Sequence, residues 1–399
     1  MKILVVCQYY YPEPFRITDI CETLVQNGHN VTILTGLPNY PEGHIRDDYR
    51  FGKKRNETIN GVKVIRCLEI GRGKNNLKLF CNYLSFALFA SLKVLFLKDD
   101  FDIVLVNQLS PITMVIPALL YKRIHHKKML LYCLDLWPDS LASGGVNEGS
   151  LIYKLVLEMS KWIYNTADKI LVTSNMFKEY FRDTLALKNK DIEYLPQYAE
   201  DLYSRKVDVP KSDKCNFVFA GNVGDMQSIQ TIISAANVLK SNINILFHIV
   251  GDGSKLNECK QLANELILNN IIFYGRRPVS EMPNFYGIAD AMLITLQDNK
   301  SLSYTLPGKV QSYMAAGKPI IGSINGETNR IITESECGLC CKAEDFKGLA
   351  GLILEFCSSN KKDVMGANAR KYYTENYSKE RFMAGIQKAL KETEANLYV

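Results

Sequence analysis

Histidine is scarce in this chain, with five in 399 residues, and none falls at the spacing of a metal-ligand pair, so no histidine-built metal centre is expected. Charge of one sign is lacking too. The 48 Lys and Arg stand against 42 Asp and Glu, and a formal excess of +6 argues against a dedicated nucleic-acid binder while suiting anionic small molecules or an anionic membrane surface. With 23% charged and 47% apolar residues the composition is not that of a disordered chain. No short-period repeat or low-complexity segment occurs. The amino terminus has no basic, apolar or cleavage region of a signal peptide and runs straight into KILVVC, so secretion is not expected. One long apolar run exists, residues 79 to 97, and Asn82, Ser85 and Lys93 interrupt it in a way that a spanning helix rarely tolerates.

What is present begins with eleven cysteines, an odd number scattered mostly through apolar runs such as KILVVC and MLLYC, where a thiol acts as a small hydrophobe. They indicate a reduced, cytosolic protein. The Cys337-Gly-Leu-Cys340-Cys341 cluster has no second ligand pair or nearby histidine and is read as small core residues.

The length exceeds what one hydrophobic core usually organises, which predicts two domains. Short β-branched runs at 2–7, 30–35, 61–68, 102–107, 128–133, 169–173 and 191–195 alternate with helical patterns, predicting a parallel sheet covered by helices. A first helix over 16–27 should end at Gly28. The pattern restarts after a polar stretch, with strands at 215–220, 245–250, 271–274, 291–296 and 319–322. We therefore expect residues 1–200 and 201–377 to form two Rossmann-like, doubly wound α/β domains with a hinge between about 196 and 213. A last helix, 378–399, should pack back toward the first domain.

Ligands of parallel α/β sheets bind beyond the carboxyl ends of the strands, so the strand-to-helix loops are the candidate sites. In YYYPEPFRITDI, Arg16 adds a charge to free helix-start N–H groups, for phosphate or acceptor contact or simply as a solvated side chain. Gly221, Asn222 and Gly224 form one turn and Gly251 and Gly253 another; each admits close approach of a phosphate or is a plain tight turn. Arg276 and Arg277 follow a strand end. The most specific segment is SYTLPGKVQSYMAAGKPII, where Pro307-Gly308 opens a helix and Lys309 sits in its first turn as a diphosphate clamp. In LDLWPDS, Asp135 can orient or deprotonate an acceptor hydroxyl, or cap the next turn, and Trp137 can stack on a sugar face. Asp100 and Asp102 match an Asp-x-Asp metal motif but precede a strand, on the wrong edge of the sheet, so no metal is expected to bind there.

With YYPEPFR, TGLPNYPEG, LDLWPDS, GNVGDMQ, VGDG, GR at 275–276 and PGKVQSYMAAGKPII in place, the chain resembles glycosyltransferase family 4 over essentially its full length. Within it the resemblance is to the bacterial O-antigen, capsule and exopolysaccharide branch, N-acetyl-L-fucosamine transferase type. It implies a GT-B fold, two Rossmann-like domains facing across a cleft, with no metal or other cofactor. The acceptor would lie on the first domain, near Asn39, Tyr40 and Trp137. The nucleotide sugar would lie on the second. Two glutamates usual in the last motif are replaced by Tyr304 and Ser312, and the usual Arg and Lys of the GNVGDMQ loop by Asn222 and Gln227. Lys309, Arg276 and Arg16 are left to meet the diphosphate, and Pro307 and Glu327 the ribose or donor sugar. The expected reaction is retaining, metal-independent transfer of N-acetyl-L-fucosamine or a related N-acetylhexosamine from a UDP-sugar to a polyprenyl-diphosphate-linked saccharide. A UDP-sugar epimerase and a non-catalytic nucleotide-binding partner are the alternatives.

The same resemblance bears on the apolar run. Residues 77–98 form either an inner helix or a helix resting in the cytoplasmic face of the membrane, rimmed by Arg72, Lys74 and Lys78.

Overall fold

A computed structural model describes residues 1–205, 207, 209 and 212–395. The expected hinge region and the end of the expected terminal helix fall in part outside these residues. By its contacts the chain divides into two compact units, Met1–Thr173 with Phe177–Leu195 and Met383–Val399, and Ser174–Met176 with Pro196–Phe382.

The first unit is built on eight strands, β1 (Lys2–Val6), β2 (Asn30–Thr35), β3 (Asn56–Ile59), β4 (Val62–Arg66), β5 (Ile103–Gln108), β6 (Lys128–Cys133), β7 (Lys169–Val172) and β8 (Ile192–Tyr194). Their order is β3-β4-β2-β1-β5-β6-β7-β8, and every pairing except β3 with β4 is parallel. Helices cover both faces, so Ile3–Val6 of β1 and Ile103–Val106 of β5 read as unbroken apolar runs, and Ile3 to Val6 are fully buried. Strand β3 was not foreseen. Its signal is Asn60-Gly61 between two short alternating runs; both residues have positive φ, as a two-residue hairpin turn requires.

Helix α1 (Ile17–Gln26) buries Ile17, Ile20, Cys21 and Leu24, a single stripe of the 3.6-residue period, and Gly28 at φ +83° follows it. Helix α2 (Asn76–Val94) starts where the Asn75 side chain accepts from Lys78 N. Helix α3 (Ile116–His125) precedes β6. The final helix, Lys379–Ala395, contributes Glu392, which pairs with Lys169 at 2.7 Å within the first unit.

In the second unit β9 (Cys215–Ala220), β10 (Ile245–Val250), β11 (Ile271–Gly275), β12 (Ala291–Thr295), β13 (Ile320–Ser323) and β14 (Gly338–Cys341) form a wholly parallel sheet in the order β11-β10-β9-β12-β13-β14. Phe217, Phe219, Phe247 and Ile249 pack with the helix Ile229–Val238 in its core. The cysteine cluster is the unexpected edge strand β14. Its thiols are unbridged, and burial raises the pKa of Cys337 to about 11. The direction of winding reverses between β1 and β5 in one sheet and between β9 and β12 in the other, and such switch points open crevices at the carboxyl ends.

Candidate functional site

Beside the switch point of the second sheet, Pro307 precedes the helix Gly308–Ala315, and Lys309 lies in its first turn. The lysine is half-buried as a residue, but its Nζ is fully buried with no hydrogen-bond partner, 4.0 Å from the centre of the Phe219 ring. Burial alone lowers its pKa from 10.5 to about 7. A Cβ on Gly221, at φ +151°, would stand 3.1 Å from that Nζ, so the glycine keeps the space beside the cation open. Tyr313 clamps the helix to the end of β9 by donating to Ala220 O at 3.0 Å and accepting from Ala220 N at 3.1 Å. An unpaired cation held beside helix-start N–H groups is a site for an anion.

The glycines of the neighbouring turns divide by purpose. A Cβ on Gly251 would lie 1.8 Å from Gly221 O, and one on Gly253 2.4 Å from Val223 O. Both glycines are needed for backbone to pass backbone, whether or not a phosphate binds. A Cβ on Gly224 would meet the Asn222 side chain, which donates to Gln227 Oε1 at 3.2 Å. Arg276 is exposed at the end of β11, an edge strand two places from β9, which puts it roughly 10 Å aside at ordinary strand spacing. Glu327, assigned from sequence to ribose or sugar hydroxyls, is fully buried. Its Oε1 pairs with Arg330 at 2.8 Å and accepts from Asn175 N, while Oε2 accepts from Arg330 Nε at 3.1 Å, so its carboxylate is already committed. Ser312, at one of the altered glutamate positions, is buried and donates to Lys309 O at 3.0 Å.

In the first unit Asp135 follows β6. Its Oδ2 accepts from Ser110 N and Ser110 Oγ, both at 2.8 Å, and Oδ1 has no partner among the described residues. Burial raises its pKa, opposed by the Ser110 bonds. Trp137 does not offer a stacking face: it is 6% exposed, and its Nε1 donates to Ser110 Oγ at 3.2 Å, so it braces the same loop. Asn39 is likewise not free for an acceptor. It is fully buried, donates to Leu37 O and Glu69 Oε1, and accepts from Arg72 N at 3.0 Å. Tyr40 is 37% exposed, and its ring lies 5.2 Å from Phe15 and 6.2 Å from Tyr9. Arg16 is half-buried at the start of α1.

Two carboxylates that sequence reasoning missed tie these loops together. Glu69 accepts from Gln8, Asn39, Asn82 and Leu37 N; Glu13 accepts from Asn39 N at 2.9 Å, Tyr40 N at 2.7 Å and Tyr10 N at 3.3 Å. Burial pushes Glu69 up to about 8 and Glu13 up to about 7, against these hydrogen bonds. The available signal was a lone acidic residue within each otherwise apolar or aromatic loop.

The polar residues that interrupt the apolar run of α2 are turned inward. Asn82 and Ser85 are buried because Asn82 donates to Glu69 and Ile70 O, and Ser85 accepts from Ile70 N. The exposed face is instead Leu77, Phe80, Leu84, Leu88 and Leu92. At 19 residues with a mean hydropathy of 1.3, α2 is long and apolar enough to cross a membrane, but a third of its most apolar window is buried within the protein. Arg72 also departs from the expected rim: its Nη1 donates to Tyr9 OH at 3.2 Å and its guanidinium lies 5.6 Å from the Tyr40 ring centre, while Lys74 and Lys78 are exposed. Asp100 pairs with Lys127 at 2.8 Å and Asp102 accepts from Lys2 N, both at the amino edge of the sheet. No group of three or more metal-ligating side chains occurs among the described residues.

Two family profiles match the chain end to end of one another, Glycosyltransferase Family 4 over residues 16–197 and Glycosyl transferases group 1 over residues 203–372. WbjE of Pseudomonas aeruginosa, named a probable glycosyltransferase, is 30% identical over 282 residues, 67% of this chain and 70% of that protein. WcaI of Escherichia coli (strain K12), provisionally named a colanic acid biosynthesis glycosyl transferase, is 23% identical over 88% of each chain. The crystal structure of Anabaena Alr3699/HepE in complex with UDP is similar at a TM-score of 0.71 and 13% identity, covering 98% of this chain and 100% of that one.

Proposed function

From the premise that this chain belongs to glycosyltransferase family 4 and has the GT-B fold, we propose that it transfers a sugar from a UDP-sugar to a lipid-linked saccharide during surface polysaccharide synthesis. The observation that carries this reading is Lys309: a buried cation without a partner, at a helix start, beside a glycine that leaves room for a ligand. Protonated, Lys309 and the helix-start N–H groups would meet the charge that builds on the leaving diphosphate. That supply of positive charge is the basis for proposing metal-independent transfer. UDP as the nucleotide accords with the HepE complex, and surface polysaccharide with the assignment of WcaI.

In the first unit the open Oδ1 of Asp135 would accept a hydrogen bond from the acceptor hydroxyl, and the exposed ring of Tyr40 is a further candidate contact for the acceptor. We further propose that N-acetyl-L-fucosamine or a related N-acetylhexosamine is the sugar, transferred with retention. The exposed stripe of α2 would rest in the cytoplasmic face of the membrane. Incubation with a panel of UDP-sugars and a lipid-diphosphate saccharide, followed by mass detection, tests the reading. A new glycolipid supports it; an altered free UDP-sugar would mean an epimerase, and no product with any donor a binding protein.

A further inference from the structure

Arg72, in the loop cluster of the first sheet, is half-buried and has no carboxylate within salt-bridge distance among the described residues. Its backbone N is fixed by Asn39 Oδ1, and its side chain is steadied by Tyr9 OH at 3.2 Å and the Tyr40 ring at 5.6 Å. Neither neutral partner satisfies a full positive charge, and the guanidinium carries five donors, of which the structure uses one. Tyr83, on α2, lies within electrostatic reach of both Arg72 and Asp135. Five residues beyond Arg72, the apolar stripe of α2 begins with Leu77, 72% exposed, and continues through Phe80 and Leu84.

We propose that Arg72 anchors a phosphate at the reducing end of the acceptor, with the acceptor's lipid running from there onto Leu77 and Phe80 and its first sugar reaching past Tyr83 toward Asp135. A planar fork suits a phosphate oxygen pair better than a point charge would. The juxtaposition of anion site and apolar stripe fits a molecule that is itself phosphate joined to lipid.

This rests on the transferase reading above, and the test separates the two. Three acceptors carrying one saccharide are compared: a lipid diphosphate, the 1-phosphate without lipid, and a phosphate-free alkyl glycoside of the same chain length. In the parent protein kcat/KM should favour the lipid diphosphate over the alkyl glycoside by at least about tenfold, as expected for a charge-assisted bidentate contact. Arg72→Gln should collapse that ratio toward one, mainly through KM, and Arg72→Lys should fall between; circular dichroism and an unchanged melting temperature report that each variant is folded. The 1-phosphate should fall between the other two acceptors. A parent with no preference, or an Arg72→Gln variant that keeps it, overturns the anchor. A 1-phosphate as good as the lipid diphosphate overturns the lipid path alone, and transfer to none of the three overturns the transferase reading with it.

Discussion

Lys309 is the most informative residue to perturb, because its charge state is in question at neutral pH. With its pKa lowered to about 7 by burial, only part of the free protein carries the proton that a diphosphate needs. If binding requires the charged form, the dissociation constant for a UDP-sugar should be nearly flat below pH 6.5 and rise above 7. Between pH 7 and 8.5 the protonated fraction falls from about one half to about one thirtieth, a weakening of about fifteenfold. A UDP-sugar suits the measurement better than UDP, since its two phosphates have no terminal monoester, which would titrate near pH 6. Calorimetry at constant ionic strength from pH 5.5 to 9 gives the profile. Lys309→Met should weaken binding at pH 6 by roughly tenfold to a hundredfold, the worth of about 1.5 to 3 kcal/mol for a charge-assisted contact, and remove the slope. Stability changes in the opposite sense. The folded pKa lies below the unfolded 10.5, so the unfolded chain binds more protons between pH 7 and 10.5 and stability rises with pH across that window. Lys309→Met should melt higher than the parent at pH 6 to 7, and the gain should vanish toward pH 10. A parent whose affinity is flat from pH 6 to 9, or a methionine variant that keeps the slope, refutes the placement of the diphosphate.

Asp135→Asn should leave UDP binding as it is and lower turnover roughly a hundredfold, the usual scale of general-base assistance; unchanged turnover removes Asp135 from the chemistry. Activity should persist after exhaustive chelation, whereas loss with EDTA and recovery with magnesium or manganese would return attention to Asp100 and Asp102. Replacing Leu84 and Leu88 together with Glu should abolish cosedimentation with anionic vesicles while sparing the fold, because both are about half exposed; undiminished vesicle binding rules out α2 as the contact. Glu69→Gln should destabilise the first unit by about 1 to 3 kcal/mol in urea unfolding at about pH 9, above the Glu69 pKa of about 8, since an amide cannot accept from both the side-chain donors and Leu37 N and one buried donor is left unpaired. A variant as stable as the parent would show that the carboxylate is not what ties those loops.

The alternation of apolar runs with helical patterns was by itself enough to establish two parallel sheets and all but two of their strands. Buried parallel strands must be apolar on both faces, and that pattern is local. The two strands it missed, β3 and β14, lie at sheet edges, where one side is open and the apolar run is short or broken. Motif reading also singled out Lys309 and Asp135, because strand ends and helix starts mark themselves with Gly, Pro and a charged residue. Only the tertiary structure decided which motif residues are open. Glu327, Asn39 and Trp137 stand in the right segments, yet each is consumed by partners distant in sequence or sealed by burial. The same holds for α2, for which the sequence left an inner helix and a membrane-resting one both open, until Glu69 and the Ile70 backbone turn its polar residues inward. Helical periodicity reveals that a stripe exists but not which way it faces. That depends on hydrogen-bond partners brought in from other loops, as Arg72 depends on Tyr9 and Tyr40.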